Sequence, residues 1–186
     1  MPTTTNRARL EDWFAAVDRL LTDGRPHAIS PSSTPPPSTR EVGFTVTVGS
    51  IGSELTVLLD QLVHRPGRWI VVLQPEGSSR YCQAICFEDG SVVAEAVSNA
   101  YLKGDERLSG AKEAVLEGLG WERPENPGEG NWSYLDGSME PDVDRLAVMV
   151  AGTFVRVLGC AAEVVVEARL FSSSRRGRTA VGAACW

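Results

Sequence analysis

Asp89-Gly90 sits between two stretches, residues 80–88 and 91–98, in which apolar side chains recur at every second position. Asp-Gly supplies the positive φ that a tight hairpin turn demands, so the two stretches are expected to fold back on each other as antiparallel strands. A third alternating run, residues 68–74, precedes them across Pro75-Glu76-Gly77-Ser78-Ser79. The hairpin thereby becomes a three-stranded meander, and any fold for this chain must be built around it.

The flanking periodicities alternate between strand and helix. Val42, Phe44, Val46 and Val48 alternate with Gly43, Thr45 and Thr47, as a strand would. Leu55, Leu58, Leu59 and Leu62 form one stripe of a helix over 54–64, with Ser53 as its expected cap. Leu108, Ala111, Lys112, Val115 and Leu119 outline a helix over about 106–118, followed by a loop over 121–132 and a short strand over 132–135. Pro141 is expected to open a second long helix whose stripe is Val143, Leu146, Ala147, Val150, Phe154, Val157 and Leu158, with Gly159 as C-terminal cap. A last strand is expected over 163–171. The pattern is that of an α+β domain: an antiparallel sheet with helices packed on one face.

Four segments follow: an amphipathic helix within 1–24, carrying Leu10, Trp13, Phe14, Val17, Leu20 and Leu21; a Pro/Ser-rich linker over 25–41; an α+β domain over 42–171; and a flexible tail over 172–186. The basic cluster Arg175, Arg176 and Arg178 reads as part of that solvated tail.

A net charge of −6 argues against a nucleic-acid partner. No apolar run approaches the ~20 residues of a membrane helix, and Met1 to Arg9 lack a signal-peptide pattern, so no membrane partner and a cytoplasmic location are expected. Cys82 and Cys86 fall on one strand about 13 Å apart, too far for a disulfide or a shared zinc, and read as buried thiols. His27 and His64 stand without the companions of a metal site. Asp136, Glu140, Asp142 and Asp144 lack calcium-loop spacing and read as stabilising a helix N-terminus. No nucleophile–base pair, metal motif or phosphate loop is legible, so neither catalysis nor a cofactor is expected.

Alternation divides the meander into two faces. One, with Trp69, Val71, Leu73, Cys82, Ala84, Cys86, Val92, Ala94 and Ala96, is wholly apolar and suited to helix packing. The other carries Arg68, Ile70, Val72, Gln74, Tyr81, Gln83, Ile85, Phe87, Val93, Glu95 and Val97, and Glu163, Val165, Glu167 and Arg169 continue its mixed character. That face is too polar for a sealed core and too apolar for plain solvent, which marks an interaction surface, a site covered by the chain's own segments, or β-propensity alone. The candidate binding residues are Ile70, Val72, Tyr81, Gln83, Ile85, Phe87, Val93, Glu95 and Val97, joined by Trp121.

Tyr81-Cys82-Gln83, then Ala94 to Ser98 with Asn99, Tyr101 and Leu102, then Leu108-Ser109, Leu119-Gly120-Trp121, Pro124 and Asn131-Trp132 occur in an order that resembles the TY-Chap family. This is an actinobacterial group related to type III secretion chaperones and YbjN proteins, and the resemblance covers about residues 54–171. It implies an α-β-β-β-α-β-β-α arrangement and non-catalytic binding of a client peptide or protein, often as a homodimer. It also places Gln83 and Glu95 on strands and Trp121 just after the middle helix. Trp121 then serves either as a core or lid aromatic or as a peptide contact; Gln83 and Glu95 either bond across strands or meet a ligand. The alternative is a structural or regulatory subunit whose mixed face is a dimer interface without a client.

Overall fold

The computed structural model describes residues 40–126, 128–138 and 140–173. The segments expected within 1–24 and 25–39, and the tail beyond residue 173, lie outside the described residues. Among the described residues six strands and three α-helices occur in the order β1 (Arg40–Thr47), α1 (Ile51–Val63), β2 (Arg68–Pro75), β3 (Cys82–Cys86), β4 (Val92–Ala96), α2 (Gly110–Leu119), β5 (Trp132–Asp136), α3 (Val143–Gly152) and β6 (Val165–Ser173). They form one sheet of order β1-β6-β2-β3-β4-β5, antiparallel at every pairing. This is the expected α+β architecture, with the helices on one face.

The meander closes as its turn residues dictate. Gly90 adopts φ +85°, a left-handed conformation that side chains resist, and the backbone bond from Phe87 N to Ser91 O (2.9 Å) closes the hairpin. Asp89 Oδ1 accepts from Ser91 N and Oγ, which pins the turn. The inward set of the meander is buried as its alternation requires, and Cys82, Cys86, Val92 and Ala94 are wholly inaccessible.

α1 begins earlier than its stripe alone suggests, while α2 and α3 begin later, where their capping side chains place them. α1 starts at Ile51, with Ser50 in the cap position; Ser53, the expected cap, lies inside the helix and donates to Ser50 O. α2 starts at Gly110 because Ser109 Oγ accepts from Lys112 N, and residues 104–106 form a separate 3-10 turn. α3 starts at Val143: Asp142 caps it by accepting from Arg145 N (2.9 Å), and Pro141 precedes the cap instead of opening the helix. The helix then widens into a π turn over Thr153–Val157, closed by Leu158 N to Thr153 O. β1 begins at Arg40, inside the stretch assigned to the linker, because its edge pairs with β6 as far as Ser172.

The element order departs from the one the resemblance implies. A single strand, β5, separates α2 from α3, and the last strand follows α3; ahead of β5 only the isolated bridge Glu122↔Ser133 forms. β6 therefore arrives late in the chain and inserts between β1 and β2.

The core is a single cluster between the sheet and the helices, in which Leu59, Leu62, Leu116, Phe154, Val157 and Ala168 are fully buried. Phe154→Ala would leave a cavity there and is expected to cost about 3–5 kcal/mol, measured as a lowered urea midpoint with unchanged m-value. Burial pushes the Cys86 thiol up to about 12 and the Cys82 thiol further still. Both are therefore expected to resist iodoacetamide at about pH 8 in the native protein and to label once denatured, read by peptide mass.

Candidate functional site

The outward face of the sheet is organised in rows that run across the strands. Register places Phe171 opposite Ile70, Ile70 opposite Ile85, Ile85 opposite Val93, and Val93 opposite Leu135. These five side chains make one unbroken apolar row over β6, β2, β3, β4 and β5, about 19 Å wide at the usual strand spacing. Leu135 is 65% exposed and the other four are half-buried. None of the five belongs to the core cluster, and no described helix lies over them.

The next row is polar. It runs Arg169, Val72, Gln83, Glu95 and Ser133, two residues further along each strand. Glu95 Oε2 accepts from Gln83 Nε2 (2.6 Å) and from Asn131 Nδ2 (3.0 Å), and Asn131 also donates to the Tyr81 hydroxyl (2.9 Å). Of the two readings open for Gln83 and Glu95, the structure realises the cross-strand bond. At the other end Arg169 Nη2 donates to Gln74 Oε1 (3.0 Å), while its Nε is buried without an acceptor. Arg169 lines an open groove with Val72, Gln74, Ser78, Ser79, Tyr81 and Gln83. On the opposite flank of the apolar row Arg68 lies over the Phe87 ring, 5.4 Å from its centroid.

Ile70, Val72, Gln83, Ile85, Phe87, Val93 and Glu95 thus stand together on the expected face. Tyr81 stands at its edge, just before β3, half-buried against the core. Two expected members do not stand there. Val97 is 2% exposed: β4 ends at Ala96, the chain turns inward, and residues 96, 97 and 98 are all buried in succession. Trp121 is 3% exposed and donates from Nε1 to Thr153 Oγ1 (2.9 Å), whose hydroxyl in turn donates to Met149 O. Trp121 is a core aromatic that fastens α2 to the π turn. Glu163 lies in the loop before β6, not on the strand.

Phe171 and Leu135 complete the row and were not among the expected residues. Their signal was present: Phe171 continues the Val165, Glu167, Arg169 alternation, and Leu135 is outward if Trp132 is inward.

Asn99 and Ser98, which belong to the resemblance, and Arg123, which does not, hold loops. Asn99 donates to Leu108 O (2.8 Å) and accepts from Leu108 N (2.6 Å), and Ser98 Oγ donates to Gly130 O. Arg123 stacks over buried Trp132, 4.9 Å from its ring, while bonding Glu113 and Glu117. These contacts hold the connections that follow β4 and precede β5, and so support the β4–β5 end of the row.

The acidic residues before α3 are also engaged locally. Asp136 accepts from Ser138 Oγ and N and from Asp142 N, which holds its carboxyl below the usual range. Among the described residues no group of three or more His, Cys, Asp or Glu is placed to hold a metal ion, and no helix is long and apolar enough to cross a membrane.

Burial pushes the Tyr81 phenol above its usual 10, Asn131 opposes the shift, and the Glu95 carboxylate adds to it. A phenol whose folded value is raised favours the fold below its unfolded value, and that contribution is lost as pH climbs through the folded one. Stability is therefore expected to fall above about pH 10, and Tyr81→Phe should flatten that fall in urea titrations across the range.

The family model that matches covers residues 50–172, from the start of α1 nearly to the end of β6; its description is TY-Chap3, T3SS (YopN, CesT) and YbjN peptide-binding chaperone 3. No curated protein and no solved structure matches the chain.

Proposed function

The chain belongs to this family of peptide-binding chaperones, and from that membership we propose that it holds a client segment on the apolar row of its outward sheet face. The observation that carries the reading is the row itself: Phe171, Ile70, Ile85, Val93 and Leu135 aligned over five strands on the face away from the helices. A contiguous apolar band rimmed by polar and charged groups is the kind of surface that binds protein segments. The Gln83–Glu95–Asn131–Tyr81 network supports it as a rim whose polar groups already satisfy one another, so that a client need not compensate them. We read the protein as a non-catalytic, cofactor-free module of the cytoplasm. The family description supports the binding role, and the engagement of the α3 acidic residues in capping supports the absence of acid–base work there.

The test is capture of client polypeptide from a host extract by the full chain, identified by mass spectrometry and compared with Val93→Glu and Leu135→Glu variants. Leu135 is largely exposed and Val93 half-buried, so both variants are expected to keep their melting temperature within about 3 °C. Each should lose most of the captured material; capture equal to that of the parent would sink the reading. If no client is recovered and the full chain is a dimer at every concentration, which Val93→Glu converts to monomer, the row is a homodimer interface instead.

A further inference from the structure

We infer that the segment held on this face is an amphipathic helix laid across the strands, with acidic residues flanking its apolar stripe. The inference rests on the proposed client site and specifies its occupant.

The spacing of the row selects the conformation. Its apolar side chains are one strand apart, about 4.8 Å. A helix presents one apolar side chain per turn, about every 5.4 Å, whereas an extended segment presents same-face side chains about every 6.7 Å. Over the four steps from Phe171 to Leu135 a helix drifts out of register by roughly 2–3 Å and a strand by roughly 8 Å. A helix of about four turns therefore keeps a side chain near every member of the row, and a strand does not.

The flanks select the charge. Arg169 stands in the polar row on one side of the apolar row, and Arg68 stands on the other side over Phe87. Both belong to the β6–β2 half of the face. Arg169 has one neutral acceptor, Gln74, and a buried Nε with none. Within its groove the other lining residues are Val72, Gln74, Ser78, Ser79, Tyr81 and Gln83, none of them a carboxylate; Glu167, two residues away on β6 and opposite Gln74, is exposed outside that lining. Glu95, the carboxylate in the same polar row, is three strands along at β4 and is already bonded to Gln83 and Asn131. With Nε enclosed, it is the Nη end of Arg169 that faces a partner across the groove, and glutamate or aspartate on a helix flank supplies an acceptor for it.

Three fluorescein-labelled probes test this by anisotropy against the full chain at low salt. They are a model helix with leucine once per turn and glutamate on both flanks, the same helix with glutamine on the flanks, and an extended peptide of alternating valine and threonine. The glutamate helix should bind roughly tenfold more tightly than the glutamine helix, and the extended peptide more weakly than either. Arg169→Gln should bring the two helices to within about twofold of each other without weakening the glutamine helix, Arg169→Lys should restore part of the preference, and raised salt should erode it. A chain in which Ile85→Glu abolishes binding, but which takes the extended peptide as well as the helices or shows no glutamate preference, would retain the client site and overturn the helix inference. Absence of any binding sensitive to Ile85→Glu would overturn the client site itself, and this inference with it.

Discussion

Burial of one face of a single antiparallel sheet is the constraint on which the rest of the molecule depends. Side chains alternate across a strand, so every residue committed to the helix-covered core commits its neighbours to the other side. Trp69, Val71 and Leu73 of β2 go in, and Ile70 and Val72 must go out; Ala84 goes in, and Gln83 and Ile85 go out. The inner face is small over β3 and β4, where Cys82, Ala84, Cys86, Val92, Ala94 and Ala96 let helices approach closely. The outward row is the obligatory reverse of that core, and the chain has filled it with Ile70, Ile85 and Val93 where polar residues would have served solubility better.

The supports of this face are placed at its two ends. At the β5 end, Asn131 reaches both Tyr81 and Glu95, while Arg123 stacks on Trp132 from the loop before the strand. At the β6 end, the strand is held between β1 and β2 along nearly its whole length. Trp121 acts further back, joining the end of α2 to the π turn through Thr153. These contacts leave the outward row on a sheet held at both ends, the rigid base that a binding face requires.

Periodicity assigns a face only while a strand continues, and β4 stops at Ala96, so Val97 turned inward although the alternation carried it outward. Trp121 lies in a loop, where no period indicates direction; only the approach of Thr153, 32 residues later in the chain, settles its burial. The helix starts were misplaced by similar logic. An apolar stripe locates a helix face but not its first turn, which Ser109 and Asp142 decide through their side-chain bonds.

By itself the sequence determined the meander, the three helical stripes that flank it and the mixed character of the opposite face, because turn chemistry and side-chain period act over a few residues. Tertiary structure alone decided that β6 lies beside β2, which brings Phe171 into line with Ile70 and Arg169 into line with Val72. It alone made the row continuous from β6 to β5, since pairing between distant segments is fixed by the packing of the whole sheet and leaves no local mark in the chain.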